Sequence, residues 1–278
     1  MKIKKEKKKL NRGEWITLFL GTTFFFGAIA RFFPGIQAGF PLNDGGMFLS
    51  MIRDLRDSQY VLPAVTSYNN LNIPYAYPPF GFYFTRLLSD VFSLSEIMLL
   101  RWIPPTVNSL SILAFYALSS LLLESRRRAA VAAIFYALTP GASAWFIMGG
   151  GVTRSLGSLF MLLSLWWVYR LFREGGKLAL ALSILFCSLT VLSHPEVGIH
   201  TAASCILLWL DITIFQSGCA AFCTICKPDS RTDSPCGACD WHFWGIWKQK
   251  YFLLLWCVIP YLVEPRRRRV LLSIPFAC

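Results

Sequence analysis

The chain has 278 residues, of which 55% are hydrophobic and only 15% charged, with a formal net charge of +12 and a mean hydropathy of +0.51. Soluble domains carry about 25% charged residues, so the composition excludes an ordinary soluble globular protein. The positive balance does not call for nucleic acid, because the basic residues cluster beside apolar runs, where they suit an anionic inner leaflet.

A helix crossing the hydrocarbon core needs about 20 mostly apolar residues. Runs of that kind fall at 14–33, 102–123, 130–148, 155–172, 178–193, 197–215 and 251–264, the fifth and seventh being short. The expectation is an all-α protein, a polytopic transmembrane helix bundle whose long first extracytoplasmic loop contains short interfacial helices.

Residues 1–13 are basic, with Lys2, Lys4, Lys5, Lys7, Lys8, Lys9 and Arg12 ahead of the first span. Lys and Arg near span ends are retained in the cytoplasm, which places the N-terminus there. The alternative, a cleaved signal peptide, lacks a small-residue cleavage site near Ile29–Ala30. Arg126, Arg127 and Arg128 after the second span, and Arg170, Arg173 and Lys177 after the fourth, fall on the same side if the path alternates.

The connection between the first two spans is about 70 residues, far longer than an ordinary loop, and function is expected there. It opens with Pro34-Gly35-Ile36-Gln37-Ala38-Gly39-Phe40-Pro41-Leu42-Asn43-Asp44-Gly45-Gly46, turn formers around one carboxylate. Met47–Leu55 has the spacing of a short amphipathic helix lying on the membrane. Asp44 then has two readings: the N-cap of that helix, or a catalytic carboxylate whose glycine neighbours let a substrate approach. Further on, Tyr68-Asn69-Asn70 and Ile73-Pro74-Tyr75-Ala76-Tyr77-Pro78-Pro79-Phe80-Gly81-Phe82-Tyr83 set aromatic rings on a proline-stiffened backbone. This is either an interfacial belt or a wall for a sugar or lipid-linked substrate.

Two later corners, on the same side as that loop by alternation, carry polar groups. Gly149-Gly150-Gly151-Val152-Thr153-Arg154-Ser155 joins the third and fourth spans. It suits a phosphate cradle of amides and a fixed cation, or a lone snorkelling arginine. Ser193-His194-Pro195-Glu196 joins the fifth and sixth, where His194 and Glu196 are candidates for metal ligation or proton handling.

After Gln216 the character changes. Within 216–250, Cys223-Thr224-Ile225-Cys226 and Cys236-Gly237-Ala238-Cys239, with Cys219 and His242 nearby, offer a four-thiolate zinc site; the short loop between the pairs and the absence of a strand ribbon speak against it. Segment 251–278 ends inside an apolar run at Pro275-Phe276-Ala277-Cys278, and Arg266, Arg267, Arg268 and Arg269 would face outward if every span were counted. Either 251–264 does not span alone, or 216–250 hides another crossing, or this part is a truncated or altered continuation.

Over about residues 10 to 215 the sequence resembles the C-type, polytopic glycosyltransferase superfamily, particularly bacterial relatives of the protein O-mannosyltransferases and the lipid A aminoarabinose transferase. The residues that carry the likeness are Asp44 within Pro41-Leu42-Asn43-Asp44-Gly45-Gly46, and Tyr77-Pro78-Pro79-Phe80 with Tyr83, in a long external loop behind a cytoplasmic N-terminus. Many members have lysine before the two prolines where this chain has Tyr77. The resemblance implies transfer of a sugar from a polyprenyl-phosphate carrier to an acceptor on the external face of a bacterial plasma membrane. Asp44 would be general base or ligand of a divalent metal. Arg154 would balance the leaving phosphate, Tyr75, Tyr77 and Tyr83 would line the substrate, and His194 and Glu196 would assist. A transporter is the rival reading, for which Pro140, Pro104, Pro105 and Asp211 are the broken or ionisable positions in spans; a non-catalytic scaffold is the third.

Overall fold

The computed structural model describes residues 11–39, 41, 43–139, 141, 143–148 and 151–225, with 214–225 described by backbone alone. This part is 82% helical. In chain order the helices are α1 (Arg12–Ala38), α2 (Gly45–Asp57), α3 (Phe80–Phe92), α4 (Glu96–Leu122), α5 (Arg126–Leu138), α6 (Ala144–Ile147), α7 (Gly151–Glu174), α8 (Lys177–Ser193) and α9 (Pro195–Ile225). The strand content among the described residues is one antiparallel pair, β1 (Val65–Thr66) and β2 (Ile73–Pro74), between α2 and α3.

Local chemistry sets the helix ends. Asn11 and Glu14 form a capping box at the start of α1, with Glu14 N donating to Asn11 Oδ1 at 2.8 Å and Asn11 N to Glu14 Oε2 at 2.6 Å. Gly39, at φ 68°, ends the same helix in the left-handed region that glycine occupies at no steric cost. Inside α1, Gly27 lets the backbone approach its neighbours: a β-carbon there would lie 2.7 Å from Ile112 Cδ1 on α4 and 3.0 Å from Ala137 Cβ on α5. The opposite face of α1 presents Phe25, Phe26, Ile29 and Phe33 outward, an apolar stripe that water would not favour.

Three helices, α1 from Gly13 onward, α4 and α7, are long and apolar enough to cross a membrane, which points to a membrane protein. The expected span 130–148 is not one helix. It breaks after Leu138, with Thr139 extended at φ −77° and ψ 114°. The residue before a proline is pushed out of the helical region, and Pro140 has no N–H to continue the ladder. At about 1.5 Å per residue, the 13 residues of α5 reach only about 20 Å against a core of about 30 Å. By the same measure α8, with 17 residues, reaches about 26 Å. The seventh expected span, 251–264, lies outside the described residues.

Two apolar clusters organise the packing. One joins Ile112, Phe115 and Leu118 of α4 to Tyr136 of α5 and Leu162 and Leu165 of α7, with Phe115 and Tyr136 stacked at 4.4 Å. The other gathers Phe48, Met51, Ile52 and Leu55 of α2, Phe82 of α3, Leu99, Leu100 and Ile103 of α4, and Val152 and Leu156 of α7. The helix expected over Met47–Leu55 is therefore formed, but its apolar face packs on protein and not on a membrane surface. Each such side chain contributes about 1.5–3 kcal/mol of burial, enough to hold a 13-residue helix that would not persist alone. Between α7 and α8, Ser164 Oγ and Thr190 Oγ1 lie 3.3 Å apart in the interior, a polar tie of the kind that joins apolar helices.

Candidate functional site

One end of the described fold gathers the expected polar corners. Arg101, early in α4, donates from Nε to Gly35 O at 2.6 Å and so ties the start of α4 to the end of α1. Gly81, in the first turn of α3, lies against the start of α7, where an added β-carbon would meet Thr153 Cγ2 at 3.2 Å and Val152 O at 3.3 Å. Gly157, two turns into α7, faces His194, with 3.0 Å from its built β-carbon to His194 Cβ. The Pro-Pro element, the Arg154 corner and the His194 corner are thus neighbours.

Asp44 stands at the N-cap position of α2 but does not cap it: at φ −69° and ψ 6° its side chain makes no capping hydrogen bond. The other four carboxylates of the long connection are engaged. Asp54 accepts from Thr66 Oγ1 at 2.7 Å and Ser67 N at 3.0 Å, Asp57 pairs with Arg56 at 3.1 Å, and Asp90 and Glu96 both bind Arg86. Half-buried Asp44 alone among them has no hydrogen bond or ion pair within the described residues. Its setting is close-packed, since a β-carbon on Gly45 would fall 2.6 Å from Pro41 Cβ. One turn along, Phe48 meets Tyr77 at 5.1 Å and Phe82 at 5.2 Å edge-on. Asp44 therefore stands one turn from an aromatic cluster that Val152 and Leu156 of α7, on either side of Arg154 in sequence, also join.

Arg154 is half-buried in the first turn of α7. Its Nε donates to His194 Nε2 at 3.4 Å, and its guanidinium lies 5.6 Å from the Trp145 ring centroid, so the cation is steered from two sides. His194 is extended at φ −155° because Pro195 follows, and proline at the first position of α9 needs no N–H partner. Accepting from an arginine commits the Nε2 lone pair of His194 to that contact. Glu196 lies in the first turn of α9. Among the described residues no three His, Cys, Asp or Glu side chains come together as a metal site. Of the thiol candidates, Cys226, Cys236 and Cys239 lie outside the described residues, and Cys223 falls in α9 where only backbone is described.

The three tyrosines separate. Tyr75 is 8% exposed and donates from its hydroxyl to Met51 O at 3.0 Å. It is a core residue and lines no substrate surface, because the expected wall turns inward at this position to seat α2. Tyr77 is half-buried against Phe48 and Phe82. Tyr83 stacks on Tyr60 at 6.2 Å and donates to Tyr60 O at 2.8 Å.

Two buried arginines were not singled out from the sequence. Arg31, with 0% exposure, donates from Nε to Asn108 Oδ1 at 2.6 Å, and from Nη1 to Gly27 O at 3.0 Å and Ala137 O at 2.7 Å. Arg86 binds Asp90 through both oxygens and Glu96 Oε1 at 3.0 Å. The signal for Arg31 was a charge inside an apolar span, which is costly unless partnered. No protein-family model, no curated protein and no solved structure matches the chain.

Proposed function

We propose that the chain is a polytopic membrane transferase that moves a sugar from a polyprenyl-phosphate carrier to an acceptor. The reaction takes place where α1 ends and α4 and α7 begin. The basic N-terminus lies in the cytoplasm, and the reacting end faces outward across a bacterial plasma membrane. The observation that carries this reading is Asp44: five carboxylates stand in the long connection, four are bound into the structure, and the one without a described partner sits beside glycines on the aromatic cluster. An acceptor hydroxyl is a weak nucleophile until a base takes its proton. Asp44 takes that proton as the new glycosidic bond forms, while the bond from the anomeric carbon to the phosphate oxygen breaks and polyprenyl phosphate departs with the electron pair. Arg154, held by Trp145 and His194, meets the charge that develops on the phosphate.

The transport alternative draws on the break between α5 and α6, since interrupted helices mark many transporter sites. Arg31, against the last turn of α5, is wholly buried and spends its described hydrogen bonds on protein atoms. A cation committed to protein atoms in this way is a structural tie between helices, and this supports the transferase reading over the transport one.

The test is transfer by the purified full chain in lipid, offered a panel of polyprenyl-phosphate sugars. Asp44→Asn lowers the rate about 100-fold or more, and Arg154→Gln lowers it by a smaller factor through loss of the guanidinium. Full activity in Asp44→Asn removes the base, and no transfer from any donor by the wild type removes the transferase reading.

A further inference from the structure

At the opposite end of α1 and α5 a groove opens between them, lined by Trp15, Ile16 and Phe19 on one side and Arg127, Ala130 and Val131 on the other, with a volume of about 540 Å³. The spacing on each helix is one face over one turn, so the groove runs along both axes. Its concavity has a sequence cause. Ala129, Ala130, Ala132 and Ala133 make α5 thin, and Ala130 forms a floor at 4% exposure beneath Trp15 at 58% and Val131 at 49%. All lining side chains are apolar except Arg127, in the first turn of α5.

Charge decides what fits. Arg127 is exposed and makes no hydrogen bond or ion pair among the described residues, and Arg126 and Arg128 flank it. The nearby acids are already used: Glu14 in the capping box of α1, and Glu124 on Arg173 at 3.2 Å. The positive end of the α5 dipole adds to the same field. A trough of hydrocarbon ending in a cation without an acidic partner among the described residues matches an acyl chain joined to an anionic headgroup. A second protein copy would need an interface of at least about 1,000 Å², far more than six side chains around one turn provide.

We propose that this groove binds one anionic phospholipid, its phosphate against Arg127 and the upper part of an acyl chain along Trp15, Phe19 and Val131. The proposal is independent of the chemistry at Asp44.

The test reads Trp15 fluorescence in the full chain reconstituted into phosphatidylcholine vesicles, taking the difference between wild type and Trp15→Phe to isolate that ring among the 10 tryptophans. A minor fraction of brominated phosphatidylglycerol is compared with the same fraction of brominated phosphatidylcholine. The anionic lipid quenches Trp15 about fivefold more effectively, as expected for one basic residue at an anionic headgroup. Arg127→Gln abolishes the preference, Arg127→Lys keeps most of it, and Lys177→Gln, an exposed cation at the same end outside the groove, leaves it intact. Equal quenching by the two lipids overturns the proposal. So does equal loss in Arg127→Gln and Lys177→Gln, which would mean a diffuse basic surface. Trp15 shielded from both lipids in a self-associated protein would put a second copy in the groove and overturn it as well.

Discussion

The seam between α1 and α5 and the layer formed by α2, α3 and the start of α4 each bury an arginine, and they satisfy it by different means. In the layer, Arg86 is held by two carboxylates, Asp90 one turn along α3 and Glu96 at the start of α4, and Arg56 of α2 reaches Glu96 at 3.6 Å. Three elements are knit by ions, as in a water-soluble protein. In the seam, every described hydrogen-bond partner of Arg31 is neutral: an asparagine and backbone carbonyls of Gly27, Tyr136 and Ala137. Two of those carbonyls belong to the last turn of α5, where helix carbonyls lack intrahelical partners and the dipole is negative. Arg31 supplies to α5 the cap that its own sequence, running into Pro140, denies it. A cation thus serves as an ionic clamp where acids are at hand and as a helix cap where only dipoles are.

The largest stability effect is expected from Arg86→Met. It leaves Glu96, whose side chain is 13% exposed, with only the longer 3.6 Å contact to Arg56, and costs on the order of 3 kcal/mol, as breaking a buried pair does. Adding Glu96→Gln recovers part of the loss, because removing both partners costs less than removing one. Thermal unfolding of the full chain in detergent measures both; a double variant no more stable than the single one would mean the pair is not the source of the effect.

Arg31→Met comes next, at about 2 kcal/mol. It leaves the α5 carbonyls and Asn108 without their donor, but also relieves the burial of a cation that has no carboxylate among its described partners. The two terms oppose, so the net is smaller than for Arg86. The contrast sharpens in salt: Arg86→Met narrows its gap to wild type as ionic strength rises, because its partner Asp90 is partly exposed, whereas the Arg31→Met gap stays constant. A larger loss for Arg31→Met, or the same salt dependence, breaks the distinction.

These differences also mark how far the sequence could be read. Helices α1, α4 and α7 were legible because a long apolar run has few other solutions. The break at Thr139 was signalled by Pro140, but the donor that caps the last turn of α5 comes from 106 residues earlier. Arg31 stands near the end of its span, where a lone arginine reads as snorkelling, and no local pattern announces partners on two other helices. In the connection, the spacing of Phe48, Met51, Ile52 and Leu55 gave helix α2, but spacing says only that one face is apolar and not whether lipid or protein covers it. Asp44 stood out among turn formers, and its failure to cap could be learned only from geometry. Arg154 and His194 were each picked out, while their contact depends on Gly157 admitting the α8–α9 corner.

The smallest effect concerns Tyr75, read from the sequence as a substrate-facing ring and found in the core of the layer. Burial holds its phenol above the ordinary value, and the negative charge of Asp54 adds to that. In the unfolded chain the group ionises near its usual value of about 10, so the folded state keeps a proton that the unfolded state gives up. The stability linked to Tyr75 is therefore complete below about pH 10 and is lost as pH rises from there towards the higher folded value. Tyr75→Phe costs about 1 kcal/mol at neutral pH through the hydrogen bond to Met51 O, and it flattens the alkaline fall in melting temperature. The same variant leaves the KM for a polyprenyl-phosphate sugar unchanged if the ring belongs to the core. A raised KM with an unchanged alkaline slope would return Tyr75 to the substrate surface, and would show that the layer opens further than its ion pairs imply.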